Sequence, residues 1–140
     1  MIIYIPGDPV GKERPRVANG HAYTPEKTKA YEAKVAWAWK KAYPDHKPFP
    51  RDKQLYVCIR AGFAIPKRVS KKMRAEMLNG IIRPTKVPDI DNLVKICLDG
   101  CQGVCYENDS SIVTVVAMKF YSETPGVTVI LREEDGANSP

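Results

Sequence analysis

Proline most limits what this chain can fold into, because it ends several stretches that could otherwise form longer regular elements. The 140 residues contain 12 prolines, spread from Pro6 to Pro140. A proline fixes φ and has no backbone N–H, so helices and central strands end near it. No apolar run approaches the roughly 20 residues of a membrane-spanning helix. We therefore expect one compact domain built from short elements.

The segments between the prolines show the periodicities of short helices and strands. Tyr31, Val35 and Trp39, for example, recur at the spacing of one helix face. In chain order the sequence predicts strand 2–5, loop 7–20, helix 24–43, strand 55–65, helix 70–79, helix 92–101, and strands 112–121 and 127–131. The last two strands are predicted to form a hairpin around residues 122–126.

This order of elements indicates the α+β class. We expect a single compact domain in which a small mixed or antiparallel sheet packs against helices. The domain is predicted over residues 1–132, and residues 133–140 are predicted to be an acidic and then polar tail that frays.

The charges are distributed unevenly along the chain. Residues 1–86 carry 19 of the 22 Lys and Arg and 7 of the 16 acids, a net charge of +12, whereas residues 87–140 have a net charge of −6. The basic first part suggests a polyanionic partner, and the acidic last part suggests a function that needs carboxylates.

The most informative stretch is Val87-Pro-Asp-Ile-Asp-Asn-Leu-Val-Lys95, which leads into the last predicted helix. If Asp89 and Asp91 lie on an extended segment, their side chains point to the same side. Lys95 follows Asp91 by one helical turn, and a reversal after the helix could bring Asp109 back beside its N-terminus. Converging carboxylates suit Mg²⁺, which takes oxygen ligands and can activate water and neutralise a scissile phosphate.

A purely structural explanation of these residues stays open. Aspartate is a favoured helix cap, so Asp91 could cap the helix, and Asp91 with Lys95 could form an ordinary surface salt bridge. Asp99, two turns after Asp91, could support a metal ligand from behind or face solvent.

From Pro88 the chain reads Pro-Asp-x-Asp-Asn-Leu-x-Lys, followed by Leu98-Asp99, Gly103 and Asn108-Asp109. This pattern resembles the RusA family of Holliday junction resolvases, which are small endodeoxyribonucleases of bacteria and their phages or prophages. The remaining similarity lies in Pro6-Gly-x-Pro9, Lys12-x-Arg-Pro-Arg16, Tyr23-Thr-Pro25, Lys119 and Tyr121. The resemblance spans about residues 3–131.

The resemblance implies a homodimer with a compact α+β fold that binds four-way DNA junctions and introduces paired, symmetric nicks using Mg²⁺ or Mn²⁺. It implies that Asp89, Asp91 and Asp109 are the essential carboxylates and metal ligands. It assigns the essential lysine to Lys95. Many members have two adjacent acids where this chain has an Asn-Asp pair, so Glu107 could substitute for or assist Asp109.

Two other functions stay open on the sequence alone. The chain could be a branched-DNA-binding module without catalysis, whose acids serve as caps and salt bridges. It could also be a nuclease of broader specificity that cuts flaps or single strands. A symmetric dimer favours paired nicks across a junction, because each site reaches one strand.

Three groups of basic residues are candidates for contact with DNA phosphates. They are Lys12, Arg14 and Arg16 in the first loop, Lys67, Arg68, Lys71 and Lys72 around the short helix, and Arg83 and Lys86 before the acidic motif. Arginine can bind a phosphate through two parallel hydrogen bonds. The alternative is that these residues form solvated surface or balance the charge of the aspartates.

The cysteines and the N-terminus bear on the compartment. Cys97 and Cys101 fall on the apolar stripe of a predicted helix, and no fourth ligand matches the spacing to Cys105, so we predict core thiols rather than zinc. The first five residues lack the basic and apolar regions of a secretory signal. We therefore expect a cytoplasmic protein with reduced thiols and no membrane association.

Overall fold

The computed structural model describes residues 1–134. Its elements are β1 (Ile2–Pro6), β2 (Arg16–Ala18), β3 (His21–Tyr23), α1 (Glu26–Ala42), β4 (Leu55–Ala64), α2 (Lys71–Leu78), α3 (Ile90–Cys101), a 3₁₀ turn (Asp109–Ser111), β5 (Ile112–Ser122) and β6 (Gly126–Glu133). The predicted α+β class is confirmed, since helices accompany a mixed four-stranded sheet. None of the helices described is long and apolar enough to cross a membrane.

The four-stranded sheet has the order β1-β6-β4-β5, with β4 antiparallel to β6 and parallel to β5. Strand β4 is central and largely buried: every second residue from Leu55 to Phe63 is buried, whereas Arg60 and Ala64 on the opposite face are exposed. The parallel pairing with β5 requires a long crossover, which α2 and α3 supply.

The predicted hairpin of the last two strands is wrong, because β4 lies between β5 and β6. Gly62 of β4 pairs with Gly126 of β6, and Ala64 pairs with Ser122 of β5. The short connection from β5 to β6, residues 123–125, therefore passes over the end of β4. Adjacent strands are about 4.8 Å apart, so the connection spans two such spacings, which a few extended residues can do. A Pro-Gly loop therefore fits a tight hairpin and this crossing equally well.

Helices α1 and α3 pack against each other on one face of the sheet. The predicted stripe of Tyr31, Val35 and Trp39 is confirmed as buried. A Cβ on Gly100 would lie 2.7 Å from the Val35 Cβ, so only glycine permits this approach of the two helices. The indole N–H of Trp39 donates to the Cys101 sulfur at 2.9 Å, which places that thiol in the core as predicted.

The helix boundaries follow the sequence closely, with small differences at their starts. Ser70 caps α2 as predicted, because its hydroxyl accepts the Met73 N–H at 3.1 Å. Helix α1 begins at Glu26 with Pro25 at the N-cap, and no side chain caps it, so the predicted start at residue 24 is slightly early.

Two further segments differ from the sequence interpretation. The predicted loop 7–20 contains β2, which pairs with β3 across a turn at Asn19 and Gly20, both of positive φ. An Asn-Gly pair is a strong hairpin signal that the sequence interpretation did not use. At the C-terminus, Glu133 belongs to β6 and the Glu134 N–H donates to the Gln54 carbonyl, while residues 135–140 of the predicted tail lie outside the described residues.

Candidate active site

Asp89 and Asp91 lie at the N-terminal end of α3. Helix α3 begins at Ile90, two residues earlier than predicted, so Asp89 is the extended N-cap residue and Asp91 lies in the first helical turn. The expectation that both lie on one extended segment is therefore wrong. Both side chains are nevertheless exposed at the same end of one helix. Aspartate is favourable there because the N-terminus of a helix carries partial positive charge.

Neither structural explanation of these aspartates is realised among residues 1–134. Asp89 occupies the N-cap position, but its side chain accepts no capping hydrogen bond. Asp91 forms no salt bridge with Lys95 or with any other described lysine or arginine. Lys95 is exposed one turn further along α3. The two carboxylates and the ammonium are therefore available to a ligand.

The loop before β2 is fixed against this end of α3. Gly11 lies so close to it that an added Cβ would be 2.8 Å from the Pro88 Cβ and 3.2 Å from the Asn92 Cβ. The Lys12 N–H also donates to the Asn92 carbonyl at 2.9 Å. Gly11 and Lys12 are consequently held against Pro88 and Asn92, on either side of the acidic pair.

A groove of about 580 Å³ lies between this loop and the aspartates. It is lined by residues 12–16 on one side and by Asp89, Asp91 and Asn92 on the other. Arg14 and Arg16 are exposed, and Arg16 makes only a 3.4 Å contact with Glu13. The groove therefore brings exposed guanidinium groups close to unpaired carboxylates of the described chain. A chain of phosphates could bind along its basic side.

Lys12 was also predicted to contact DNA, and its ammonium is engaged inside the protein. It lies 2.8 Å from the Glu32 carboxylate and 3.0 Å from the Asp99 carboxylate, and its side chain is 15% exposed. Partial burial opposes the charge, but the hydrogen bonds to Glu32 and Asp99 outweigh it and raise the pKa of Lys12. Lys12 joins the loop to α1 and α3, and Asp99 is its partner rather than a support for a metal ligand.

Asp109 does not lie beside Asp89 and Asp91 within one chain, so the predicted convergence is wrong for a single subunit. Its N–H donates to the Gln102 side chain at 3.3 Å, and Gln102 is the C-cap of α3. Gln102 follows Asp91 by eleven positions, which corresponds to about 16 Å along a helix. No three carboxylate, imidazole or thiol groups that could hold a metal come together among residues 1–134. Glu107 is exposed, and its N–H donates to the Phe49 carbonyl at 2.9 Å.

The remaining predicted basic residues divide into two sets. Arg83 and Lys86 are exposed in the segment that leads to Asp89, so they lie near the acidic pair. The residues around α2 are also exposed, but they do not line the groove between the first loop and the aspartates; they are Lys67, Arg68, Lys71 and Lys72. Their contact with DNA stays a prediction.

Sequence reasoning assigned no role to several residues that organise this region. Lys119 of β5 donates to the Lys86 carbonyl, and its own carbonyl accepts from Arg83 Nε at 2.8 Å. Glu32 of α1 pairs with Lys12. These contacts join residues 20 to 36 positions apart, so no local pattern could have indicated them.

The described residues form a small α+β protein in which unpaired carboxylates lie beside a basic groove. This arrangement is typical of an enzyme that acts on a phosphate polymer. The chain matches the family described as Endodeoxyribonuclease RusA over residues 6–132. It is also 36% identical over 136 residues to a Bacillus subtilis (strain 168) protein named "Uncharacterized protein YqaN", covering 91% of this chain and 92% of that protein. The chain belongs to the RusA family of endodeoxyribonucleases.

Proposed function

We propose that this protein is a metal-dependent endodeoxyribonuclease that resolves four-way DNA junctions by paired, symmetric nicks. One observation carries the proposal. Asp89 and Asp91 are exposed together at the start of α3 and line a groove with Arg14 and Arg16. Among residues 1–134, neither side chain accepts a capping hydrogen bond or pairs with a lysine or arginine. Membership of the RusA family supports cleavage of DNA, and the junction as substrate rests on that resemblance.

The donor set fits a magnesium ion. Mg²⁺ commonly takes one or two carboxylates from a protein and completes its shell with waters and substrate phosphate. Asp89 and Asp91 would hold the ion, and Mn²⁺ suits the same oxygen donors. When bound, the ion neutralises charge on the scissile phosphate and activates the attacking water.

The other groups of the site have roles that follow from their charge and position. Lys95 is exposed one turn from Asp91, so its ammonium would bind a nonbridging oxygen of the scissile phosphate and stabilise the charge that develops there. Arg14 and Arg16 would bind neighbouring phosphates on the opposite wall of the groove. Arg83 and Lys86 would meet the DNA strand as it enters.

A homodimer reconciles the role implied for Asp109 with its position. Since Asp109 lies at the far end of α3 from Asp91, it can join the acidic pair only from a second subunit. We propose a symmetric dimer in which each subunit supplies Asp109 to the other's site. Such a dimer presents two sites related by a two-fold axis, as paired nicks across a junction require. The four free thiols of the described chain suit the reducing cytoplasm.

Cleavage of a labelled synthetic four-way junction tests the proposal. The wild type, Asp91→Asn and the matched control Asp45→Asn are incubated with Mg²⁺, with Mn²⁺ or with chelator, alongside a linear duplex of the same sequence. Asp45 is an exposed acid in the turn after α1. We expect paired symmetric nicks on the junction from the wild type and the control, and a loss of at least about a hundredfold in Asp91→Asn.

Binding measured in parallel separates the alternatives. Asp91→Asn should bind the junction as tightly as the wild type or more tightly, because a negative charge near phosphates has been removed. Tight binding by a wild type that never nicks would indicate a binding module instead. Equal cleavage of flaps or single strands would indicate a nuclease of broader specificity.

A further inference from the structure

Residues 83–88, which connect α2 to the acidic pair, lack regular structure of their own. We call these residues the strap. Backbone hydrogen bonds exist on either side, where the Ile82 N–H donates to Glu76 and the Leu93 N–H donates to Asp89. Among the described residues, none joins backbone to backbone within the strap. Because Asp89 follows Pro88 directly, the placement of that carboxylate depends on what holds the strap, together with α3 and the close approach of Gly11 to Pro88.

One residue of the neighbouring strand contacts the strap at two points. The ammonium of Lys119 donates to the carbonyl of Lys86, and the carbonyl of Lys119 accepts from Arg83 Nε at 2.8 Å. Lys119 lies opposite buried Ala61 in β4, on the face of the sheet that the helices cover.

The ring of Phe63 fixes the direction of the Lys119 side chain. The ammonium lies 5.1 Å from the centroid of that buried ring, a favourable arrangement for a cation. The Lys86 ammonium lies 6.0 Å from the same centroid and is exposed. Of the two cations beside Phe63, Lys119 is directed at the protein backbone and Lys86 is available to a phosphate.

We propose that Lys119 is a positioning residue: it ties the strap to β5 and thereby fixes Asp89 for cleavage. The proposal rests on the proposed function for its effect on DNA, while the tether itself is a property of the protein alone. Lys119 acts on the reaction through Lys86 and Asp89 and does not need to touch the substrate.

Limited proteolysis with trypsin tests the tether without any DNA. The strap contains one cleavable bond after Lys86, and a protease needs the segment to open before it can cut. In Lys119→Met we expect cleavage at that bond to be faster by about threefold or more, with cleavage after Lys72 in α2 unchanged. Lys119→Arg, which keeps donors on a long chain, should restore the wild-type rate.

Junction cleavage and binding test the consequence for the site. With protein saturating, Lys119→Met should nick about tenfold more slowly, since small displacements of catalytic groups have effects of this size or larger. The dependence of binding on salt should keep its wild-type slope. Lys119→Arg should recover most of the rate, whereas Lys41→Met, remote on α1, should leave both measurements unchanged.

Three results would overturn the proposal. A salt slope reduced by about one, with an unchanged rate at saturation, would make Lys119 a direct phosphate ligand. Unchanged proteolysis and cleavage in Lys119→Met would remove the tether altogether. Failure of Lys119→Arg to restore both readouts would leave only a general structural role.

The design also separates this proposal from the proposed function. If the wild type never nicks a junction but the strap opens in Lys119→Met, the resolvase proposal fails and the tether proposal stands. Should Lys119→Met fail to fold, Arg83→Met removes the other contact, the hydrogen bond from the Arg83 side chain to the Lys119 carbonyl. Faster cleavage after Lys86 in that variant would support the tether, and an unchanged rate would refute it.

Discussion

Replacing Lys12 separates a structural lysine from a DNA contact. Its ammonium lies 2.8 Å from Glu32 and 3.0 Å from Asp99, and the Lys12 side chain is 15% exposed. Removing one partner costs about 3–5 kcal/mol for a fully buried pair and about 0–1 kcal/mol at the surface. Because the two carboxylates are 22% and 29% exposed, water can partly replace the ammonium. We expect Lys12→Met to lower the free energy of unfolding by about 2 kcal/mol.

Urea and thermal unfolding measure this loss. About 2 kcal/mol corresponds to a fall of roughly 8 °C in Tm for a domain of this size. The urea midpoint should fall with an unchanged slope, since the surface exposed on unfolding is the same. Methionine keeps the apolar stem, so the change reports the ammonium. The matched variant Arg14→Met, exposed in the same loop, should stay within about 0.5 kcal/mol of the wild type.

The effect of pH has a definite sign. The pKa of Lys12 is raised above its ordinary value of 10.5, because hydrogen bonds to Glu32 and Asp99 outweigh partial burial. A raised pKa in the folded state means that the stabilisation is complete below pH 10.5 and is lost as the pH rises through the folded pKa. The difference in stability between the wild type and Lys12→Met should therefore hold near neutral pH and shrink in strong alkali.

A DNA-binding measurement can refute the argument that Lys12 is a structural lysine. If Lys12→Met unfolds like the wild type, and its dependence of binding on salt loses about one unit of slope, then Lys12 contacts a phosphate and the ion-pair argument fails. We expect the reverse, with the reduced slope appearing in Arg14→Met.

Two other predictions concern subunit exchange and helix packing. Mixing Asp91→Asn with Asp109→Asn should restore nicking at one site per mixed dimer, because that site then contains both wild-type carboxylates. A mixture as inactive as its components would mean that Asp91 and Asp109 act within one chain. Gly100→Ala should lower the free energy of unfolding by about 1–3 kcal/mol in a urea titration, because the new methyl group would lie 2.7 Å from the Val35 Cβ; a gain in stability would show that α1 and α3 can separate freely.

The candidate site was partly visible in the sequence. The Asp-x-Asp pair is where the pattern placed it, at the start of an amphipathic helix, and Arg14 and Arg16 line the same groove. Such features depend on residues within one or two turns of each other, where spacing determines geometry. The small β2–β3 hairpin was also within reach, since its Asn-Gly turn is a local signal.

The sequence by itself determined the three helices, the buried stripes of α1 and α3 and the Ser70 cap of α2, because each depends on neighbours along the chain. Only the tertiary structure decided that β4 lies between β5 and β6, that Lys12 is engaged by Glu32 and Asp99, and that Asp109 lies at the far end of α3. The type of a residue, apolar or charged, indicates whether that residue becomes buried or paired. Which distant residue becomes its neighbour depends on how all the elements pack together, and no local spacing records that choice.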